Sequence, residues 1–165
     1  SYLAAERGLS SEKSGLIISL FFLSIMAPGF VLDRIVAWLG KWLNFVSLVV
    51  LGLGLVLMAL RHAPNAMLWV GAILAGLGYG VMQPIIYDKA ATNSPPKEAT
   101  LALSLVMAVN YLAIVVAPFL IEAINRIFHT SSYRFAFLAN GVITLVIAII
   151  ALFTMKKSRV LGNDD

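Results

Sequence analysis

The side chains that could do chemistry in this sequence are few, and their spacing favours binding over covalent catalysis. The chain has no cysteine, which excludes thiol chemistry, disulfides and cysteine-ligated zinc. Its two histidines, His62 and His129, lie far apart, and neither is near a cluster of carboxylates. We therefore expect no enzyme activity, no metal site and no cofactor.

Uncharged polar residues within long apolar stretches are better candidates for binding. Tyr79 and Gln83 are one helical turn apart, Asn110 and Tyr111 lie near the middle of the next stretch, and Asn140 lies in the outer part of the last one. Polar side chains at such positions are costly unless they have partners. We predict all five as candidate ligand contacts, and hydrogen bonding between helices is the alternative for each.

These residues belong to a very apolar chain. Of its 165 residues, 61% are hydrophobic and 12% are charged, against about 45–50% and about 25% in soluble domains. Each run without a formal charge is long enough to cross the roughly 30 Å hydrocarbon core as a helix. The five runs are residues 14–32, 42–60, 62–87, 99–121 and 135–155. This composition excludes a soluble enzyme, a disordered tail and a disulfide-stapled secreted domain.

Helices are the expected spanning elements, because the runs are too long and continuous for the strands of a membrane barrel. We predict an all-α integral membrane protein, an antiparallel bundle in a single transmembrane domain of residues 1–165. The predicted spans are about 14–36, 43–60, 66–87, 98–126 and 133–157. On the third span, small residues four apart predict close helix packing, and two glycines widen the stripe. These are Ala72, Gly76 and Gly80, with Gly71 and Gly78.

The basic residues indicate an orientation in the membrane. The net charge of +4 and the pI of about 9.6 come from single or paired residues between spans, which favours contact with anionic lipid headgroups over nucleic acid. One face receives Arg34, Lys41, Lys89, Lys97, Lys156, Lys157 and Arg159, and the other receives Arg7, Lys13, Arg61, Arg126 and Arg134. This bias predicts that the amino end lies outside and the carboxyl tail in the cytoplasm. We expect a multi-pass protein of the plasma (inner) membrane.

The turn after the first span carries a charged motif. It reads Gly29-Phe-Val-Leu-Asp33-Arg34, with Gly40-Lys41 following. This resembles the GxxxDR signature, followed by Gly-Arg/Lys, of the major facilitator superfamily, found at a cytoplasmic turn in each six-helix half. The upstream AERGLSSEKSGLIISL is similar to the segment that leads into that helix. Here five residues, Ile35–Leu39, separate the two parts of the motif, where the family usually has one.

The resemblance implies a secondary transporter that works by alternating access, with Gly29, Asp33 and Arg34 as part of a cytoplasmic gate. An acid at the carboxyl end of a helix faces a negative dipole, so Asp33 should be stabilised by Arg34 or by the amino end of another helix. A solvated turn that follows the charge bias is the alternative.

The resemblance also favours one half of such a transporter. The family's amino-terminal half usually carries an Arg and a Gln ahead of a glycine pair on its fourth helix, where this chain has Ala72 and Ala75. We therefore expect helices eight to twelve of a longer chain, with the drug:proton antiporters as the candidate type. The implied partners are the lipid bilayer, the missing amino-terminal half, a small-molecule substrate and protons. A five-helix scaffold or partner subunit without transport activity is the alternative.

Overall fold

The computed structural model describes residues 8–60, 64–130 and 132–161, with side chains as far as residue 153. Every regular element in these residues is a helix. They are α1 (Ser11–Met26), α2 (Leu32–Leu39), α3 (Leu43–Ala59), α4 (Asn65–Thr92), α5 (Ala99–Ile127) and α6 (Tyr133–Leu161), with 3-10 turns at Ala27–Phe30 and Gly40–Trp42. Arg7, Arg61 and His62 lie outside the described residues, as do the side chains of Lys156, Lys157 and Arg159.

Five helical stretches are long and apolar enough to cross a membrane. They are Ser11–Phe30, Leu32–Ala59, Asn65–Thr92, Ala99–Ile127 and Tyr133–Phe153. Large apolar side chains are exposed along most of them, as expected where the surrounding medium is lipid. The predicted all-α membrane fold is confirmed.

The first predicted helix, about 14–36, is wrong at its carboxyl end. α1 ends at Met26, and a 3-10 turn containing Pro28 follows. Proline has no N–H to donate and clashes with the preceding turn of an α-helix. Val31 then leaves the helical conformation, with φ −131° and ψ 17°, and α2 begins at Leu32. The apolar pattern continues through these residues, so it does not reveal the interruption of the helix.

The third predicted span, about 66–87, is shorter than the helix that contains it. α4 continues for another five residues, to Thr92. Asp88 and Lys89 are exposed, and the Thr92 hydroxyl donates to the carbonyl of Asp88 at 2.8 Å. Charged residues end an apolar run but do not break a helix, so the helix continues beyond the span.

Contacts between residues divide the chain into two compact units, residues 1–82 with 133–165, and residues 83–132. In the first unit, the small residues of α4 bring neighbouring backbones close. A Cβ on Gly76 would lie 2.6 Å from the carbonyl oxygen of Phe21 in α1, and one on Gly80 would collide with Ile25. Ala72 is completely buried. The predicted packing stripe is thus confirmed, and the single transmembrane domain stays a prediction.

Gly71 and Gly78, which the sequence predicts to widen this stripe, form a second contact. A Cβ on Gly78 would lie 2.7 Å from the carbonyl oxygen of Ser47 in α3, and one on Gly71 would lie 2.8 Å from Met58. Gly54 of α3 meets the α4 backbone at Ala75 in the same way. In the first unit, α4 therefore packs against α1 on one side and against α3 on another.

A third close contact joins α3 and α6. A Cβ on Gly52 would lie 2.8 Å from Leu145, and one on Gly141 would lie 2.8 Å from Val56. At the end of α3, Arg134 donates a hydrogen bond from Nε to the carbonyl of Ala59. A cation at a helix carboxyl terminus satisfies a free carbonyl and suits the helix dipole.

The second unit contains the last part of α4, the connection that follows it, and α5. No residue of α5 is buried. Its carboxyl end closes with paired backbone hydrogen bonds, from Thr130 to Asn125 at 2.9 Å and from His129 to Arg126 at 3.2 Å. His129 has a φ of 50°. This is the Schellman arrangement, in which the left-handed residue is most often glycine.

Candidate functional site

Three polar side chains meet around one hydroxyl in the second unit. Gln83 donates from Nε2 to the hydroxyl oxygen of Tyr87 at 3.1 Å. Asn110 donates from Nδ2 to the same oxygen at 3.4 Å. All three side chains are half-buried. We call these residues the Tyr87 cluster.

The helices explain this meeting. Gln83 and Tyr87 are four residues apart on α4, so their side chains lie on one face. Asn110 comes from α5, 23 residues further along the chain. Both hydrogen bonds use the amide nitrogens, and an amide oxygen can accept further hydrogen bonds. Because the Tyr87 hydroxyl accepts two hydrogen bonds, its proton remains free to donate. The cluster therefore presents two acceptors and one donor to a ligand, without formal charge.

The other predicted ligand contacts lie elsewhere. Tyr79 is half-buried and belongs to the first unit. Asn140 is exposed on α6, and its Nδ2 donates to the carbonyl of Ala136 in its own helix at 2.9 Å. Tyr111 follows Asn110 on α5, but 61% of its side chain is exposed. Of the five predicted residues, the structure joins Gln83 and Asn110 through Tyr87.

Tyr111 lies on the exposed face of α5 that carries polar side chains among apolar ones, which we call the polar face. Residues at spacings of four, seven and eleven return to nearly the same side of a helix. The exposed polar residues with this spacing are Thr100, Ser104, Tyr111 and Glu122, and the exposed apolar residues Met107, Val115 and Pro118 lie on the same side. The neighbouring exposed face is apolar and carries Leu105, Leu112 and Phe119. α5 thus exposes one face that mixes polar and apolar side chains and a neighbouring face that carries large apolar ones.

The charged residues near the end of α5 pair locally. Arg126 and Glu122 form the expected i,i+4 ion pair, with 2.6 Å between Nη2 and Oε1. Both side chains are well exposed, and such pairs add little stability. They border an open cavity of about 500 Å³ together with Asn125, His129 and Thr130. Within residues 8–60, 64–130 and 132–161, no group of His, Asp and Glu side chains could hold a metal ion.

The predicted gate residues surround the break between α1 and α2. Gly29 is in the 3-10 turn, and a Cβ there would have no neighbour within 4 Å. Asp33 lies in the first turn of α2, so the partial positive charge at that helix's amino end stabilises its carboxylate. Asp33 and Arg34 are both exposed. The stabilisation of Asp33 thus comes from the amino end of the helix that contains it, because the first helix ends before Pro28 and a new one begins at Leu32.

The sequence of the whole chain decides its family. A model of the Major Facilitator Superfamily matches residues 1–163. The chain belongs to the Major Facilitator Superfamily. A comparison with curated proteins gives no match, and a comparison with solved structures gives none. Membership and the five apolar helices support a multi-pass membrane protein that takes part in transport of a small molecule.

Within this superfamily member, Tyr87 is the residue that sequence reasoning missed. It is the last residue of the predicted third span, next to the charged Asp88 and Lys89. A usable signal was present, because Gln83 and Tyr87 have the same i,i+4 spacing as Tyr79 and Gln83. The hydrogen bond to Asn110 could not be inferred from spacing, because it joins two different helices.

Proposed function

We propose that this chain is part of the carboxyl-terminal bundle of a secondary active transporter, which moves a small molecule by alternating access. An amino-terminal half of the transporter would supply the other wall of the pathway. The proposed setting is the plasma (inner) membrane, with the amino end outside and the carboxyl tail in the cytoplasm. The drug:proton antiporters are the proposed type.

The Tyr87 cluster is the observation that carries this proposal. Three uncharged polar side chains meet at one point, half-buried in an apolar helix pair, and polar side chains in the spans of transporters commonly line the substrate pathway. Their free acceptors and donor suit a substrate that forms hydrogen bonds. We infer that Gln83, Tyr87 and Asn110 contact the substrate, with Tyr79, Tyr111 and Asn140 as further candidates from the sequence.

The polar face of α5 supports the same function. Tyr111 is near the middle of a helix of 29 residues and is largely exposed. A phenol hydroxyl at that depth is better placed beside water than beside lipid tails. We infer that this face lines the transport pathway and that the neighbouring leucine face contacts lipid.

Single-cysteine labelling tests the pathway without knowledge of the substrate. Tyr111→Cys and Leu112→Cys are adjacent in the chain, so they lie at the same depth but about 100° apart around the helix. Their parent side chains are also equally exposed, 61% and 62%. In a whole transporter that lacks other cysteines, a charged, membrane-impermeant thiol reagent should modify Tyr111→Cys and spare Leu112→Cys.

The side from which the reagent acts decides between transporter and scaffold. Alternating access requires that Tyr111→Cys reacts when the reagent is added to either side of sealed vesicles. A scaffold packed in lipid predicts that both cysteines stay unmodified. Equal labelling of both positions would contradict the assignment of the two faces.

The proposed gate has its own test. Asp33→Asn keeps the side chain's size but removes the charge, so it should strongly impair cycling of the whole transporter and leave membrane insertion unchanged. Asp33→Glu, which keeps the negative charge, serves as the matched control. Counterflow or uptake in vesicles measures the cycle, and normal cycling by Asp33→Asn would make the segment a solvated turn.

A further inference from the structure

The segment between α1 and α3 exposes aromatic side chains to an unusual extent. Phe30 is 84% exposed and Trp38 is 86% exposed. The two candidate spans Ser11–Phe30 and Leu32–Ala59 meet here, and α2 is the first part of the second one. A segment at the start of a 28-residue span lies near one bilayer surface. Tryptophan prefers this interface, because its ring is apolar and its N–H needs a hydrogen-bond acceptor.

Helix α2 presents two different faces. Leu32, Ile35 and Leu39 recur at spacings of three and four, and all three are half-buried. Arg34 and Trp38 are four residues apart on another side of the helix, and both are exposed. The apolar face of α2 therefore packs inward, and the arginine and tryptophan are presented together to the surroundings.

The charges of this surface suit a phosphate. Arg34 and Lys41 are exposed, and neither forms an ion pair with a carboxylate among the described residues. Asp33 offsets one of the two positive charges. A guanidinium and an ammonium group are the usual ligands of phosphate oxygens, and basic residues beside a membrane attract anionic lipid headgroups.

We propose that α2 and the following turn bind the phosphate headgroup of an anionic phospholipid. Arg34 and Lys41 contact the phosphate, and the Trp38 ring lies at the level where the headgroups meet the acyl chains. The five residues Ile35–Leu39, which lengthen the motif, supply Trp38 and most of the helix that carries it. The surface binds lipid whether or not the chain transports a solute.

Quenching of Trp38 by labelled lipids tests the proposal. The whole protein is prepared with Trp38 as its only tryptophan, by Trp42→Phe, Trp69→Phe and replacement of any other tryptophan. It is reconstituted into mixed phosphatidylglycerol and phosphatidylcholine vesicles. Bromine is placed near the headgroup end of the acyl chains of one lipid at a time. Brominated phosphatidylglycerol should quench Trp38 more than an equal fraction of brominated phosphatidylcholine. The expected cause is a local concentration of phosphatidylglycerol that rises roughly fivefold for each basic side chain that binds it.

Matched variants separate headgroup binding from general exposure to lipid. Lys41→Gln should reduce the preference for phosphatidylglycerol, and Lys41→Arg should keep it. Lys13→Gln, near the other end of α1, should also keep it. A protein with Trp69 as its only tryptophan is the internal reference, because Trp69 packs against the buried cluster around Leu68 and Ala72; it should show no preference.

Three results would overturn the proposal. If neither lipid quenches Trp38, protein covers it. If both lipids quench it equally, the surface does not select anionic headgroups. If Lys41→Gln keeps the full preference, the basic side chain that the proposal assigns to the phosphate is not responsible. High salt should weaken the preference and leave the quenching itself in place.

Discussion

Helix α4 makes two kinds of contact along its length. In its first part, Gly76 and Gly80 allow the backbone of α1 to come close. In its last part, Gln83 and Tyr87 form hydrogen bonds with each other, and Tyr87 forms one with Asn110 of α5. The same helix thus changes from small, apolar contact residues to polar ones within about two turns.

The difference teaches how stability and function are divided on this helix. Where glycines let two helices come close, many weak dispersion attractions add up, and no room is left for an added atom. The Tyr87 cluster depends on two hydrogen bonds, and such bonds in membrane proteins contribute about 0.6 kcal/mol each. The packed part should therefore carry most of the stability, and the polar part can be changed with little loss of fold.

The largest effect is expected for a methyl group added to the packed part. A Cβ at Gly80 would collide with the carbonyl and Cα of Ile25, and backbone atoms cannot move aside as a side chain can. Gly80→Ala should lower the free energy of unfolding by about 1–3 kcal/mol, the usual cost of overpacking. Thermal unfolding in detergent measures this change.

Gly15→Ala is the matched control for this prediction. Gly15 is also in a helix, α1, but a Cβ there would have no neighbour within 4 Å. Alanine is the better helix former, so this variant should be neutral or more stable by up to about 1 kcal/mol. Equal responses of the two variants would show that close approach at Gly80 does not support the fold.

A smaller loss of stability, with a large loss of function, is expected in the polar part. Tyr87→Phe removes the oxygen that Gln83 and Asn110 share, so it should lower the free energy of unfolding by about 1 kcal/mol. Substrate transport should fall much further, because the free donor of the cluster is lost and the amides are released. Measurements of unfolding and of uptake on the same preparation separate the two effects.

Tyr133→Phe is the matched control for the hydroxyl. Tyr133 is exposed at the start of α6 and lies outside the Tyr87 cluster. This variant should keep transport. If Tyr87→Phe also transports normally, the cluster is a helix contact of the kind found throughout membrane proteins, and the substrate is bound elsewhere.

The packed part was also the more predictable part. The positions of Gly76 and Gly80 reveal a stripe directly, because the spacing of four is a property of one helix. The Tyr87 cluster depends on the register between two helices, which no single helix encodes. Likewise, the apolar run through Pro28 predicted one helix, because hydropathy reports burial in lipid and not the continuity of backbone hydrogen bonds.

The charged ends of the helices show the same limit. The ion pair between Glu122 and Arg126 could be predicted, since both residues are on one helix. The sequence predicts Asp33 at the end of the first helix, whereas in the structure it lies in the first turn of α2. The carboxylate therefore lies at the positive end of a helix dipole and not at the negative end. A short interruption of the helix thus changes the electrostatics of the proposed gate.

The smallest effect is expected at the end of α5. His129 has a φ of 50° in a position that usually holds glycine. His129→Gly removes the strain on the Cβ but adds freedom to the unfolded chain, so the free energy of unfolding should rise by no more than about 1 kcal/mol. His129→Val should lower the free energy of unfolding, because a branched Cβ fits this conformation poorly.

Hydrogen exchange of the amides from Phe128 to Thr130 would show whether the change stays local. A local change is expected because no residue of α5 is buried. A change in the exchange of α1 or α3 would instead mean that the packed and polar parts of the molecule are coupled more strongly than their contacts indicate.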